Sequence, residues 1–493
     1  MANPTNIPEL TGEITVPKIE PGATAHYKCH EAKESHLENL GFPGQRPDNW
    51  HEVAINKLGD LVRNNKSLQT FMDICVKCGS CTDKCHYFLG TKDPNNMPVA
   101  RQDLLRMVYK KNFTFSGKVL GKLDGAKDLS EGVLSEWFSY FHQCSECRRC
   151  SVFCPYGIDT AEFTMAARDI MHSVGLGHKY TMEIVGKVES IGNNLGIPEG
   201  ALEGTLEVLE EDMKDETGVD IKIPLDQMGS DVLLITPSAD LFSEPHIFSL
   251  MGYAKVFHKA GISWTLSSYA SEFANFGLFI GSQDHLKKVA ERIAKIAREF
   301  KVKRIIVGEC GHAWRVAYNY WNTLIGPFDY LDPQYQTPTH ICEYSYDLFQ
   351  KGAFKLDKSK NDEYVVTMHD SCNVARASRM GPKPGGQFDI PRALIKESVN
   401  HFVEMSPETT HEKTFCCGGG GGLLSEEIID LRVQGVMPKA TALKNVMESH
   451  NVNFMAMICA ICKAQFSTVL PHYQIPRDIV GGVHQLVSNA IVL

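Results

Sequence analysis

The spacing of apolar and polar positions changes character along this chain. From residue 230 onward, short apolar runs alternate with longer amphipathic stretches. The runs at 232–236, 263–266, 304–307, 364–368 and 453–457 predict strands, and the stretches at 285–300, 392–399 and 428–446 predict helices between them. Strands apolar on both faces, joined by helical crossovers, argue for parallel α/β layers. Before residue 230 the pattern is helical throughout. A helix over 47–63 places Trp50, Val53, Ala54, Leu58 and Leu61 on one face. An amphipathic helix with a basic end follows over 98–111, and another over 130–142. The result is an α+β multidomain chain in four segments: an extension over 1–60, a helical domain over 61–180, acidic helices or a linker over 181–229, and an α/β domain over 230–493.

The α/β part reads as a duplication. The stretch Val232 to Asp240 lies over Tyr364 to Cys372, so Asp240 stands where Cys372 does. The stretch starting at Arg304 lies over the one starting at Asn453, matching Cys310 to Cys459 and Ala313 to Cys462. Glu272 to Phe276 falls near Thr414 to Gly418. The second copy keeps its cysteines and the first has lost all but Cys310.

Composition narrows the class. The 493 residues carry a formal charge of −9, which gives no basic field for nucleic acid. No apolar run reaches membrane-spanning length, and the polar start lacks a secretory pattern, so the expected location is the cytoplasm. The acidic run at 207–212 reads as a solvated face. In the extension, His26, Cys29, His30 and His36 superficially resemble metal ligands, with a solvated helix start as the simpler reading. This extension either docks on a partner subunit or covers the next domain.

Cysteine chemistry then dominates. Thirteen of the sixteen cysteines fall into three groups; the exceptions are Cys29, Cys310 and Cys342. Cys75, Cys78, Cys81 and Cys85 form one C-x2-C-x2-C-x3-C run, followed by His86 where the pattern has proline. Cys144, Cys147, Cys150 and Cys154 form a second, followed by Pro155. This is two-cluster ferredoxin spacing, in which the fourth cysteine of each run ligates the other cube. Cluster one then takes Cys75, Cys78, Cys81 and Cys154; cluster two takes Cys144, Cys147, Cys150 and Cys85. Zinc is a poor alternative, because it favours two separated C-x-x-C pairs. The third group is Cys372, the adjacent pair Cys416 and Cys417 running into five glycines, and Cys459 with Cys462. Neighbouring thiols serve one tetrahedral ion badly but can serve two irons of one cluster, and glycines let backbone approach an inorganic ligand. These five cysteines are expected to hold an unusual iron–sulfur cluster at which the chemistry occurs. Cys310 and Cys342 read as buried structural thiols; the sharper alternative sets Cys310 and His312 in the substrate cleft.

A cysteine, then C-C-G, then C-x-x-C behind two ferredoxin runs resembles the cysteine-rich (CCG) domain of heterodisulfide reductases. The chain order is similar to the HdrD-like membrane-associated subunits, and most of all to the DsrK type of the DsrMKJOP complexes of dissimilatory sulfur metabolism. The resemblance spans roughly residues 40–493. It implies two cubane [4Fe–4S] clusters and one noncubane [4Fe–4S] cluster, the last held by Cys372, Cys416, Cys417, Cys459 and Cys462. It also implies a disulfide or trisulfide reductase on the cytoplasmic face of the inner membrane. A cytochrome b (DsrM-like) subunit would pass electrons from quinol, and a small thiol protein (DsrC-like) would be the substrate, with flow reversed in sulfur oxidisers. The gaps between the five cysteines exceed the family's usual ones, and residues 381–387 could widen the mouth. His369, Arg376 and Lys463 are candidates to tune the cluster. Three other readings stay open: a small-molecule heterodisulfide reductase, the iron–sulfur subunit of a lactate or glycolate oxidising complex, and a non-catalytic electron-transfer module. The second needs a flavin partner, since no G-x-G-x-x-G fingerprint is present.

Overall fold

Helix Pro98–Phe113 shows how the N-terminal half is built. Pro98 sits in its first turn, where a missing N–H costs nothing. The sequence pattern predicts an amphipathic helix with a basic end, yet this one is buried nearly all round. Its polar side chains serve neighbouring loops. Arg101 donates to the Tyr140 carbonyl at 2.8 Å and Asn96 Oδ1 at 2.8 Å, and Arg106 donates to the Met72 carbonyl at 3.0 Å. Charged residues fit this buried position because backbone carbonyls of neighbouring segments have acceptor capacity to spare for them.

The computed structural model describes residues 4–18, 34–270, 272 and 276–493. His26, Cys29 and His30, and Phe273 to Asn275 of the proposed internal match, lie outside these. The chain forms two units. The first comprises Met1–Glu183, Phe276–Gln283 and Phe415–Thr441; the second comprises Ile184–Asn275, Asp284–Thr414 and Ala442–Leu493.

The first unit has no strand among its described residues. Around Pro98–Phe113 lie helices Trp50–Asn64, Lys66–Ile74, Glu131–Phe141 and Thr160–Ser173. Side chains cap three of them at the N-terminus: Asn65 accepts from Leu68 N, Ser130 from Val133 N and Asp159 from Ala161 N. Leu58, Leu68, Phe88, Leu105, Trp137 and Phe163 form the core, joined by Leu423, Ile428 and Leu431 of the returning segment. In the first helix Ala54, Leu58 and Val62 are buried, whereas Trp50, Val53 and Leu61 are only half-buried. The returning helix Ile429–His450 lies so close to helix His86–Thr91 that a Cβ on Gly90 would overlap the Gln434 carbonyl.

One side chain ties these pieces together. Arg168 is 1% exposed. Its guanidinium donates to the carbonyls of Phe141 (2.7 Å), Cys144 (2.8 Å), Gly421 (2.9 Å) and Phe279 (3.0 Å), and lies 3.3 Å from the Glu146 carboxylate. It thus fixes both segments that return from later in the chain.

The second unit contains two four-stranded parallel sheets. In the first, β1 (Val232–Ile235), β2 (Trp264–Thr265), β3 (Arg304–Val307) and β4 (Thr339–His340) run in the order β2-β1-β3-β4. In the second, β5 (Val365–His369), β6 (His401–Phe402), β7 (Phe454–Met457) and β8 (Val480–Gly482) run in the order β6-β5-β7-β8. The two orders are the same. β4, β6 and β8 are absent from the sequence reading because two or three residues carry no period. The acidic stretch is one helix, Glu199–Thr217, which buries Leu202, Leu206, Leu209 and Met213 and leaves most of its acids in solvent.

Replacing Arg168 by alanine should strand a buried Glu146 carboxylate and several carbonyls. The expected cost is about 3–5 kcal/mol in chemical denaturation. Lysine should recover only part of it, having no planar fork.

Candidate metal centre

The two ferredoxin-like loops share one backbone shape. Lys77 and Gly79 have φ of 57° and 79°, and the matching Glu146 and Arg148 have φ of 54° and 59°. Three of these four are non-glycine residues held in the left-handed region, a strain that persists where a site over-determines the backbone. The turns aim peptide N–H groups inward; Glu146 N lies 3.4 Å from Cys144 Sγ.

The loops enclose two cages. One is lined by Cys75, Cys78, Cys81 and Cys154, with Val99 and Ile158 as apolar walls. The other is lined by Cys85, Cys144, Cys147 and Cys150, beside Arg101. Each cage thus draws its fourth cysteine from the other run. No disulfide joins the described cysteines. Burial, helped by the neighbouring Cys75, pushes the Cys81 thiol up to about 12. Burial also raises Cys85, Cys144 and Cys150, with Arg101 opposing it at Cys85 and Cys144. Four thiolates at such a point need a cationic group among them, which an iron–sulfur cluster provides. The donor sets and inward amides fit [4Fe–4S] clusters. Cys78 is exposed, whereas Cys85 is buried.

Cys416 and Cys417 belong to this same unit. Gly418 N lies 3.4 Å from Cys416 Sγ, and Gly419 N 3.5 Å from Cys417 Sγ. The glycine run beyond them rests on the loop of the second cage. Gly421 has φ +67°, and a Cβ there would come within 2.5 Å of the Cys144 carbonyl. The Tyr87 hydroxyl donates to the Gly418 carbonyl at 2.5 Å, and Arg149 stacks 3.7 Å from the Phe415 ring centre. His86 is buried between the two sites. Its ring nitrogens lie 2.8 Å from the Gly435 carbonyl and 2.9 Å from Ser145 Oγ. Burial disfavours its charged form, but the Cys416 and Cys147 thiolates outweigh that and hold its pKa up at about 10.

In the second unit, Cys372 opens helix Cys372–Ala377 just after β5. Cys459 caps helix Ala460–Val469 just after β7, with Cys462 in its first turn. β5 and β7 are neighbours at the point where strand order reverses, where ligands of open α/β sheets bind. Cys462 Sγ lies 3.7 Å from Ser371 Oγ, and Cys459 Sγ 3.7 Å from His312 Nδ1. Cys310 caps helix Gly311–Asn319 after β3, accepting from Ala313 N at 3.4 Å. Interaction between the Cys310 and Cys459 thiols, with help from Cys462 at Cys459 and burial at Cys310, holds Cys459 well below the usual thiol range and Cys310 well above it.

The tuning candidates point elsewhere. The Lys463 ammonium bonds Glu309 at 2.8 Å and Ser249 at 2.6 Å, all buried. Arg376 donates to the Glu412 and Thr414 carbonyls, and His369 meets the Phe466 ring edge-on. Glu309 also accepts from the His484 backbone and ring; burial opposes its charge, but Lys463 and His484 outweigh burial and keep it ionised. Cys342 lies near Glu309 and His484, but Lys463 already neutralises that carboxylate. Glu309, Tyr87 and Arg168 escape sequence reading, since none belongs to a spacing motif.

Comparison with known proteins supplies the family. Residues 71–158 match a 4Fe-4S dicluster domain. The Hdr-like menaquinol oxidoreductase iron-sulfur subunit 2 of Archaeoglobus fulgidus is 39% identical over 477 residues, covering 91% of this chain and 84% of that one. The chain belongs to the HdrD-like family. The corresponding protein from Archaeoglobus profundus matches equally, at 39% over the same length and coverage. In Methanosarcina barkeri, the HdrD component of the dihydromethanophenazine:CoB–CoM heterodisulfide reductase is 25% identical over 407 residues, covering 80% of this chain and 88% of that one. This HdrD-like chain is therefore an iron–sulfur electron-transfer subunit that binds 4Fe–4S clusters. No helix among its described residues is long and apolar enough to cross a membrane.

Asp240, where the second sheet has Cys372, accepts from Thr236 at 2.6 Å and Tyr253 at 3.2 Å. Burial pushes its carboxyl up to about 7 against the pull of Lys463. Its folded pKa lies above the unfolded value of about 4, so its stability contribution is full below about pH 4 and fades as pH rises through about 7. Asp240→Asn should therefore lose less stability than the parent between pH 5.5 and 8.5, read as the shift in urea midpoint.

Proposed function

We propose that this chain is the catalytic iron–sulfur subunit of a membrane-associated complex that reduces a protein disulfide or trisulfide. Cys75, Cys78, Cys81 and Cys154 would hold one cubane [4Fe–4S] cluster, and Cys85, Cys144, Cys147 and Cys150 a second. Cys372, Cys416, Cys417, Cys459 and Cys462 would hold a noncubane [4Fe–4S] cluster. When bound, these groups supply one-electron storage and an iron able to take a sulfur ligand, soft partner to soft partner.

The observation that carries this reading is the seating of the Cys416 loop on the Cys144 loop, through Gly421, Tyr87 and Arg168. It sets the second cage beside the loop of Cys416 and Cys417. The first cage, with exposed Cys78, then faces the donor. His86 keeps the two cysteine loops in register through Ser145 and Gly435. The overall reaction consumes two electrons and two protons per disulfide, yielding two thiols. The equal strand orders, with Cys310 and Cys459 each capping the helix after the third sequential position, support a duplicated CCG domain whose first copy gave up its cluster.

The names of the Archaeoglobus relatives support menaquinol as the donor, reached through a cytochrome b subunit of DsrM type at the cytoplasmic face. A DsrC-like small protein is the proposed substrate, within a DsrMKJOP-like assembly. The Methanosarcina relatives favour a small-molecule heterodisulfide as the second reading.

Dye-reduced purified complex, offered a DsrC-type trisulfide and a small heterodisulfide, separates the two. The protein substrate should turn over faster. Cys417→Ser should lower turnover at least about 100-fold, as loss of an essential reactive-site ligand does, with both cubane spectra kept. Full activity in that variant would overturn the assignment.

A further inference from the structure

Between the first-unit helices Pro98–Phe113 and Glu131–Phe141 the chain forms a short projection: helix Phe115–Leu120 and the turn Gly121–Asp124. Four large apolar side chains stand out from it into solvent. Phe115 is 84% exposed, Val119 66%, Leu120 51% and Leu123 83%. Exposure this complete means that they stand on a convex tip and do not line a groove. A folded chain rarely leaves four such residues together in water without a use for them.

The projection is firmly built. Thr114 Oγ1 accepts from Gly117 N at 3.0 Å. Asp124 accepts from Ser116 at 2.9 Å and, with its carbonyl, from Lys110 at 2.8 Å. The backbone closes through Ala126 N to Gly121 O and Lys127 N to Met107 O. Its acidic group is thus spent at the base. Lys118 and Lys122, both exposed, interleave with the apolar residues, and neither forms an ion pair among the described residues. A cationic apolar tip is notable on a chain of net charge −9.

We propose that this projection, Phe115 to Leu123, inserts into the headgroup layer of an anionic lipid bilayer. Phe115, Val119, Leu120 and Leu123 would enter the apolar boundary, and Lys118 and Lys122 would extend to lipid phosphates. The charge pattern selects lipid over a protein groove, because the lysines flank the apolar residues where phosphates would lie. The placement suits electron entry. Helix Pro98–Phe113 carries Val99 and Gln102 in the wall of the exposed-cysteine cage and ends at the projection, about 24 Å along at 1.5 Å per residue. The role, though not the binding itself, rests on the membrane-side reading of the proposed function.

The test is co-sedimentation of the full chain, holding its clusters, with vesicles of phosphatidylcholine alone or with one-third phosphatidylglycerol. Binding should favour the anionic vesicles and weaken with salt. Phe115→Glu with Leu123→Glu should lower it more than ten-fold, and Lys118→Gln or Lys122→Gln about five-fold each on anionic vesicles only. Iron content and dye-linked disulfide reduction, measured on the same samples, should stay at the parent level. Absent vesicle binding, or equal binding by the glutamate variant, overturns the proposal. So does a variant that binds vesicles normally yet fails to assemble with membrane subunits, which would make the tip a protein contact. Lost lipid binding with intact dye activity sinks this inference alone; intact lipid binding without disulfide reduction sinks the functional reading alone.

Discussion

A buried guanidinium must find acceptors for its N–H groups, and Arg168 finds them in four backbone carbonyls from three segments of the chain. Two of those carbonyls, Cys144 and Gly421, belong to a ferredoxin-like loop and to the glycine run after the paired cysteines. The requirement that this cation be satisfied therefore dictates that the two loops meet. Glu146, which lies between two cage cysteines in sequence, supplies the counter-charge. Packing follows: Gly421 can approach the Cys144 carbonyl only because it has no Cβ. One buried charge thus links the helical unit's fold to the geometry of the paired-cysteine loop.

The second unit solves a different problem with the same economy. Its two parallel sheets have equal strand order, and each places a cysteine at the cap of the helix that follows a central strand. In the second sheet that cysteine is followed by Cys462; in the first it is directly preceded by Glu309. Glu309 holds Lys463, which follows Cys462 directly in the chain. The first sheet thus carries a polar network that anchors the helix holding the second sheet's C-x-x-C. Removing either partner of that pair leaves a buried charge without its counter-charge, so the carboxylate and the ammonium stabilise the fold only together.

Much of this was legible in the chain, for local reasons. Cysteine spacing is a local constraint, so the ferredoxin-like runs and the C-x-x-C announce themselves. The four strands of four or five residues and the crossover helices carry clear apolar patterns, and β2, only two residues long, sits in the apolar run at 263–266. The rest depends on tertiary context. Helix Pro98–Phe113 reads as amphipathic, yet neighbouring carbonyls drew its arginines inward. Lys463 reads as a cation beside a cysteine, but its ammonium turns to Glu309. Tyr87 and Arg168 lie far in sequence from the glycines they bind, and no spacing rule connects them. Strands β4, β6 and β8 are too short to show alternation.

The central claim is that five cysteines outside the ferredoxin-like runs hold a cluster of their own. Iron and labile-sulfide analysis with Mössbauer spectroscopy on anaerobically purified full-length protein tests it most directly. The account predicts about twelve irons per chain, roughly a third of them in an environment unlike the cubanes. About eight irons, all of cubane type, would contradict it.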